Sequence, residues 1–172
     1  LRLAGKLCEG VILMGGANVE FIRWQMAHVR EGAESAGRRL EDIEIDLWFP
    51  MSLSDDKEQA LTDIRPWVAS QAETFSFWKT LPDFLEPYRD ECAKIGAAYD
   101  KKHHVSRHAV HKELVSDDLA NYLAVAGSAQ ECVERIEEIT SLGIHGITTA
   151  LLPGDRKDRL RTMSENIIPA LA

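Results

Sequence analysis

A four-residue apolar run, Val11-Ile12-Leu13-Met14, stands between Gly10 and the pair Gly15-Gly16. A short, wholly apolar run closed by glycines predicts a strand buried on both faces, as in parallel sheets. Residues 1–8 before it read as the last turns of an amphipathic helix. Behind it, Asn18 is the candidate N-cap of a helix. Ile22, Met26, Val29, Ala33 and Ala36 then recur at helical spacing, and Gly37 is the expected stop. A second strand is predicted over 43–50, where Ile45, Leu47 and Phe49 alternate with Glu44, Asp46 and Trp48. Asp55 with Glu58 has the pattern of a capping box. The helix it opens carries Ala60, Leu61, Ile64, Trp67 and Val68 on one face, and Pro66 predicts a kink.

Residues 75–125 give no strand signal; they predict a helix over 83–98 and then a histidine-rich stretch at 103–111. Regular order returns at Ser128, which forms a capping box with Glu131. Val133, Ile136, Ile139 and Leu142 make the buried stripe of that helix, and Gly143 ends it. The run 146–152 is the third predicted strand, and Pro153-Gly154-Asp155 turns into a last helix bearing Leu160, Met163, Ile167 and Leu171. The order is therefore α, β, α, β, a helical insertion over about 55–126, α, β, α. Each strand is followed by a helix that can cross over in the right-handed sense. The three strands are expected to be parallel and to neighbour one another in sequence order. Such units fit an open doubly wound sheet or part of a closed barrel, and periodicity does not choose between them.

In either architecture ligands sit at the carboxyl ends of the strands. That selects three loops: 14–18, 50–52 and 152–156. The insertion leaves from the second, which makes it a candidate lid or pocket wall. Gly15-Gly16 would let a flat ring or a phosphate approach the backbone; a plain strand-to-helix turn explains the same pair. No GxGxxG and no GxSxG occurs. On one helix, His104, His108 and His111 would share a face at i, i+4 and i+7. No HExxH accompanies them, and Lys101, Lys102 and Arg107 add positive charge. This suits a carboxylate- or phosphate-bearing substrate better than a metal, and none is expected. His103, His104 and His108 are the candidate substrate ligands, with Arg156 as a second anion contact. His145, at the amino end of the last strand, is expected to be structural.

Composition adds exclusions. The net charge of −8, with no basic cluster, disfavours nucleic acid and anionic membranes. Three widely spaced cysteines without CxxC argue against a disulfide framework and fit a reduced, cytoplasmic setting. No apolar run reaches the roughly 18 residues of a membrane span. The opening Leu1-Arg2-Leu3-Ala4-Gly5 has no Met and reads as the inside of a helix, so a chain truncated upstream is expected.

Leu3-Ala4-Gly5-Lys6-Leu7-Cys8-Glu9-Gly10-Val11 resembles the LAG-x-x-ADGV signature of luciferase-like monooxygenases, with Cys8 and Glu9 in place of the usual Ala and Asp. The run from Gly127 to Ile136 resembles that family's G-[ST]-P-E-E-V-x-x-R pattern. Leu142 to Ile147 is similar to its last strand, and Asn166 to Leu171 to its terminal helix. Leu151-Leu152-Pro153-Gly154-Asp155, with Tyr99-Asp100 and His103-His104, is closest to the branch named after methylenetetrahydromethanopterin reductase. The resemblance implies an α/β fold, the C-terminal portion (about strands 6–8) of a parallel (β/α)8 TIM barrel. It implies a coenzyme F420-dependent oxidoreductase, with flavin mononucleotide (FMN) as the alternative cofactor of a luciferase-like monooxygenase. Gly15, Gly16 and Asn18 would border the cofactor. The expected partners are a small-molecule substrate, the missing N-terminal half of the barrel and a second copy in a homodimer. Catalytic residues would lie upstream. A non-catalytic half-barrel remnant is the competing reading.

Overall fold

The computed structural model describes residues 1–151 and 156–171. The loop 152–155, with the expected cap Asp155, lies outside the described residues, as do the side chains of Leu151 and Arg156. The chain runs through α1 (Arg2–Leu7), β1 (Gly10–Leu13), α2 (Val19–Glu34), β2 (Glu44–Leu53) and α3 (Lys57–Ser76). Next come α4 (Arg89–Ala98), α5 (Asp117–Leu123), β3 (Val125–Gly127), α6 (Ala129–Thr140), β4 (Gly146–Leu151) and α7 (Arg156–Thr162). A π-helical turn, Met163–Ile167, prolongs the last helix.

All strand pairs are parallel, and β2 is their centre. Asp46 and Leu47 pair with both β1 and β4, so those strands lie on opposite edges of β2. The predicted neighbours in sequence order are thus present. Met51 pairs with both β3 and β4, which puts β3 on the β1 edge, beside the carboxyl end of β2. Nothing in the pattern of hydrophobic positions predicted β3. Three residues, Val-Ala-Gly, are too short to alternate and continue the apolar stripe of α5.

One face of the sheet is closed by helices. Ile45, Leu47, Phe49 and Met51 pack there against Ile22, Met26 and Val29 of α2 and Cys132, Ile136 and Ile139 of α6. Asp46 and Trp48 point to the other face, where Trp48 meets Trp67 of α3 at 5.3 Å. A second core gathers Ile64, Val68 and Ala72 of α3 with Ile95 of α4 and Leu119 and Leu123 of α5. The expectation that β1 is buried on both faces fails: Ile12 is 65% and Met14 53% exposed. Leu13 faces the helices, and no described residue covers the opposite face of β1.

Caps set the boundaries. Asn18 accepts from the Phe21 N–H at 3.0 Å, as expected. Ser128 and Glu131 form the full reciprocal box. The α3 cap is Asp56, which accepts from Gln59, one residue later than the Asp55–Glu58 pattern suggested. Helix α3 continues through Pro66. The expected helix over 83–98 divides into a 3-10 segment, Asp83–Tyr88, and α4, with Pro87 inside the 3-10 segment. Among the described residues no helix is long and apolar enough to cross a membrane.

Candidate functional site

The carboxyl ends of the strands carry the features worth chemistry. After β1 the chain passes through Gly15 and Gly16 with φ of 123° and 134°, a region that favours glycine. Packing requires both. A Cβ on Gly15 would stand 2.4 Å from the Phe21 ring, and one on Gly16 would stand 2.9 Å from the Leu123 carbonyl oxygen. Ala17 donates its N–H to that same carbonyl at 2.9 Å, which ties the loop to the end of α5. Asn18 is spent on its cap. The geometry of these three residues is accounted for by the turn itself.

Beside this loop lies a cavity of about 440 Å³ bounded by Met14 and Gly15, by Phe21, Trp24 and Gln25 of α2, by Phe75 of α3 and by Trp78 just beyond its end. Its walls are aromatic: Phe21 meets Phe75 edge-on at 5.6 Å, and Trp24 lies 6.1 Å from Trp78. Gln25 is 6% exposed. Its Nε2 donates to the Met14 carbonyl at 2.6 Å, while its Oε1 is buried with no partner. An orphaned acceptor in an aromatic cavity suits a flat ring that carries an N–H or O–H donor. Sequence reasoning passed over Gln25, although a polar residue between Ile22, Met26 and Val29 of an apolar stripe was a usable signal.

The histidines do not share a helix face. A 3-10 turn, Lys101–His103, ends at His104, and Val105 adopts a φ of 47°, which a helix cannot contain. His103 is exposed. His104 Nδ1 lies 2.7 Å from the Tyr99 hydroxyl. His111 is buried, stacks on Tyr99 at 4.1 Å and accepts the Asp100 N–H at 3.2 Å. Burial pushes the His111 pKa below its ordinary value. His108 lines a cavity of about 570 Å³, with Arg107, Lys112, Gln59, Thr62 and Asp63, and with Arg159 of α7. Among the described residues no group of three or more His, Cys, Asp or Glu side chains is arranged to hold a metal ion.

Two further groups are structural. His145 Nδ1 accepts the Ile45 N–H at 3.0 Å, and its own N–H donates to the Ile45 carbonyl at 2.8 Å, fixing the amino end of β4 on β2. Burial pushes the thiols of Cys92 and Cys132 up to about 11 and about 12, so neither is a thiolate at neutral pH.

Residues 1–146 match the luciferase-like monooxygenase family. The chain belongs to this family. It is 23% identical over 173 residues to the 5,10-methylenetetrahydromethanopterin reductase of Methanopyrus kandleri, covering 98% of this chain and 47% of that protein. It is 27% identical over 171 residues to an F420-dependent glucose-6-phosphate dehydrogenase of Nakamurella multipartita, covering 99% and 44%. The fold is similar to that of the solved coenzyme F420-dependent tetrahydromethanopterin reductase from Methanopyrus kandleri. The TM-score is 0.77 at 22% identity, over 99% of this chain and 48% of that one. The chain spans about half the length of the curated relatives it matches.

Proposed function

We propose that the protein is a coenzyme F420-dependent oxidoreductase, and that this chain supplies the carboxyl-terminal half of its barrel, with β1, β2 and β4 as strands six to eight. The observation that carries this reading is the match to F420-dependent relatives along nearly the whole chain. The aromatic cavity with its unpartnered Gln25 acceptor supports it, since that combination fits the ring of a deazaflavin. Such a cofactor transfers hydride to or from an organic substrate.

The residues of this chain have positioning work in that reading. Gly15 and Gly16 keep the loop flat enough for a ring to lie against the backbone, and Asn18 fixes where α2 begins. Phe21, Trp24, Phe75 and Trp78 exclude water. On the substrate side stand His108, His103 and His104 of the same loop, and Arg156 at the start of α7. The uncovered face of β1, with Ile12 and Met14, is where the rest of the barrel packs.

A luciferase-like monooxygenase using FMN is the second reading, favoured by the family match itself. Titration of the intact protein with F420 and, separately, with FMN tests both. Retention of F420 alone is expected. Retention of FMN alone transfers the assignment to the second reading, and binding of neither overturns both.

A further inference from the structure

The cavity between α3, residues 107–112 and α7 carries a charge unlike that of the chain around it. The protein as a whole is at −8. The cavity wall sets Arg107, Lys112 and Arg159 against a single carboxylate, Asp63. That carboxylate is already committed: Oδ2 accepts from Arg159 Nη2 at 2.5 Å and Oδ1 from Gln59 Nε2 at 2.9 Å. Arg159 is thereby held in place while its Nη1 stays buried without a partner. Arg107 donates through Nε to His108 Nε2 at 3.2 Å, and no acidic side chain among the described residues pairs with it. Among the described residues the acidic partner of Lys112 is the solvent-exposed Glu113, at 3.4 Å, a contact worth little in water.

The cavity stands at the catalytic end of the sheet. Helix α3 is capped three residues past the end of β2, and Gln59, Thr62 and Asp63 occupy its first two turns. Arg159 lies midway along the short helix α7, which follows β4. Strands β2 and β4 are parallel, with Met51 opposite Leu151 at the end of β4, so both helices start from the same end. Arg159 also borders Leu53, Ser54 and Asp55 at the tip of β2. Loops beyond adjacent strands at this end are a frequent place for phosphate groups in β/α barrels. The loop Gly15-Gly16 follows β1, on the other edge of β2.

We propose that this cavity binds the oxyanion end of the substrate, a phosphate or carboxylate clamped by Arg107, Lys112 and Arg159, with the reacting end directed across the β2 tip toward the Gly15-Gly16 loop. The assignment to a substrate rests on the oxidoreductase reading; binding of an anion there does not. Guanidinium groups suit such ligands because their paired N–H donors match two oxygens at once.

The test is calorimetric titration of the intact, cofactor-free protein with inorganic phosphate and, separately, succinate at low ionic strength. Saturable binding of at least one is expected, and which one binds separates a phosphate ester from a carboxylate. The double variant Arg107→Gln/Lys112→Gln changes one exposed and one partly buried side chain, and it should bind at least about tenfold more weakly, roughly 1.4 kcal/mol. Asp63→Asn removes the competing carboxylate and should tighten binding. No saturable binding of either anion, or unchanged affinity in the double variant, overturns the proposal. The assay contains no cofactor and no turnover, so failure of the F420 reading would leave its result standing.

Discussion

Gly5 and Val29 touch backbone to backbone: a Cβ on Gly5 would stand 2.0 Å from the Val29 carbonyl oxygen. The same crossing repeats at Gly32, whose Cβ would lie 1.9 Å from the Arg2 carbonyl oxygen. Glycine on both helices lets α1 lie directly against α2, and this gives Gly5 of the Leu3–Val11 signature a packing reason. The variant Gly5→Ala must push the helices apart. A loss of about 1–3 kcal/mol is expected, as for overpacked cores, read as a lower denaturant midpoint of the intact protein. An unchanged midpoint would show that α1 adds nothing to stability.

Ser128 and Glu131 start α6 together. The Ser128 Oγ accepts the Glu131 N–H at 3.3 Å, and the Glu131 carboxylate accepts the Ser128 N–H at 2.8 Å. Lys57 reaches the same carboxylate at 3.2 Å and the Ala126 carbonyl at 2.7 Å, joining α3, β3 and α6. Removing the Oγ in Ser128→Ala should cost about 1 kcal/mol. Chemical denaturation measures it, and a loss indistinguishable from zero would mean that Lys57 alone holds the helix start.

Much of this architecture is legible in the order of hydrophobic positions. Strands β1, β2 and β4 and helices α2, α3 and α6 follow from runs, alternation and helical stripes. What escaped has physical causes. Strand β3 is too short to carry a period. The shared face that His104, His108 and His111 would have on one helix does not form, and spacing alone does not reveal that Val105 turns the backbone to positive φ. The exposure of Ile12 was invisible because an apolar strand looks the same whether its second face meets this chain or another part of a barrel. The candidate sites were legible only as loops. Gln25, Lys112 and Arg159 enter through tertiary contacts between α2 and α3 and between α3 and α7, which no local pattern encodes.

His111 gives the fold a pH dependence. Burial lowers its pKa from the ordinary 6.5, so the unfolded chain takes up a proton more readily than the folded one. Its contribution to stability is full above 6.5 and is lost as pH falls through the lowered folded value. Asn at this position keeps an acceptor for the Asp100 N–H and does not titrate. Denaturation of His111→Asn at a series of pH values below 6.5 should therefore show a shallower decline than the wild type. Parallel curves would mean that other groups carry the acid sensitivity.

The uncovered face of β1 bears on cofactor retention. Ile12 of β1 and Met14 just beyond it are exposed while Leu13 is buried against the helices, and the chain spans about half the length of its relatives. A ring held only by the Met14–Gly15 side would keep much of its surface in water. Residues 1–172 alone should accordingly bind F420 and FMN more weakly than micromolar, about −8 kcal/mol. Fluorescence titration of this chain checks it, and tighter binding would show that the aromatic cavity suffices by itself.

Gln25 separates a structural role from a cofactor role. Its Nε2 bond to the Met14 carbonyl stabilises the loop, while its unpartnered Oε1 carries the desolvation cost of a buried acceptor. In Gln25→Leu these two changes oppose each other, so the cofactor-free protein should shift by less than about 1 kcal/mol. If the Oε1 receives a hydrogen bond from the bound ring, the same variant should lose about tenfold in F420 affinity, or roughly 1.4 kcal/mol. Met14 keeps its carbonyl in either case, which leaves the lost acceptor as the difference that binding reads. Stability and affinity are thus expected to part company in one variant. A large loss of stability with F420 affinity intact would make Gln25 a loop anchor and remove it from the cofactor site.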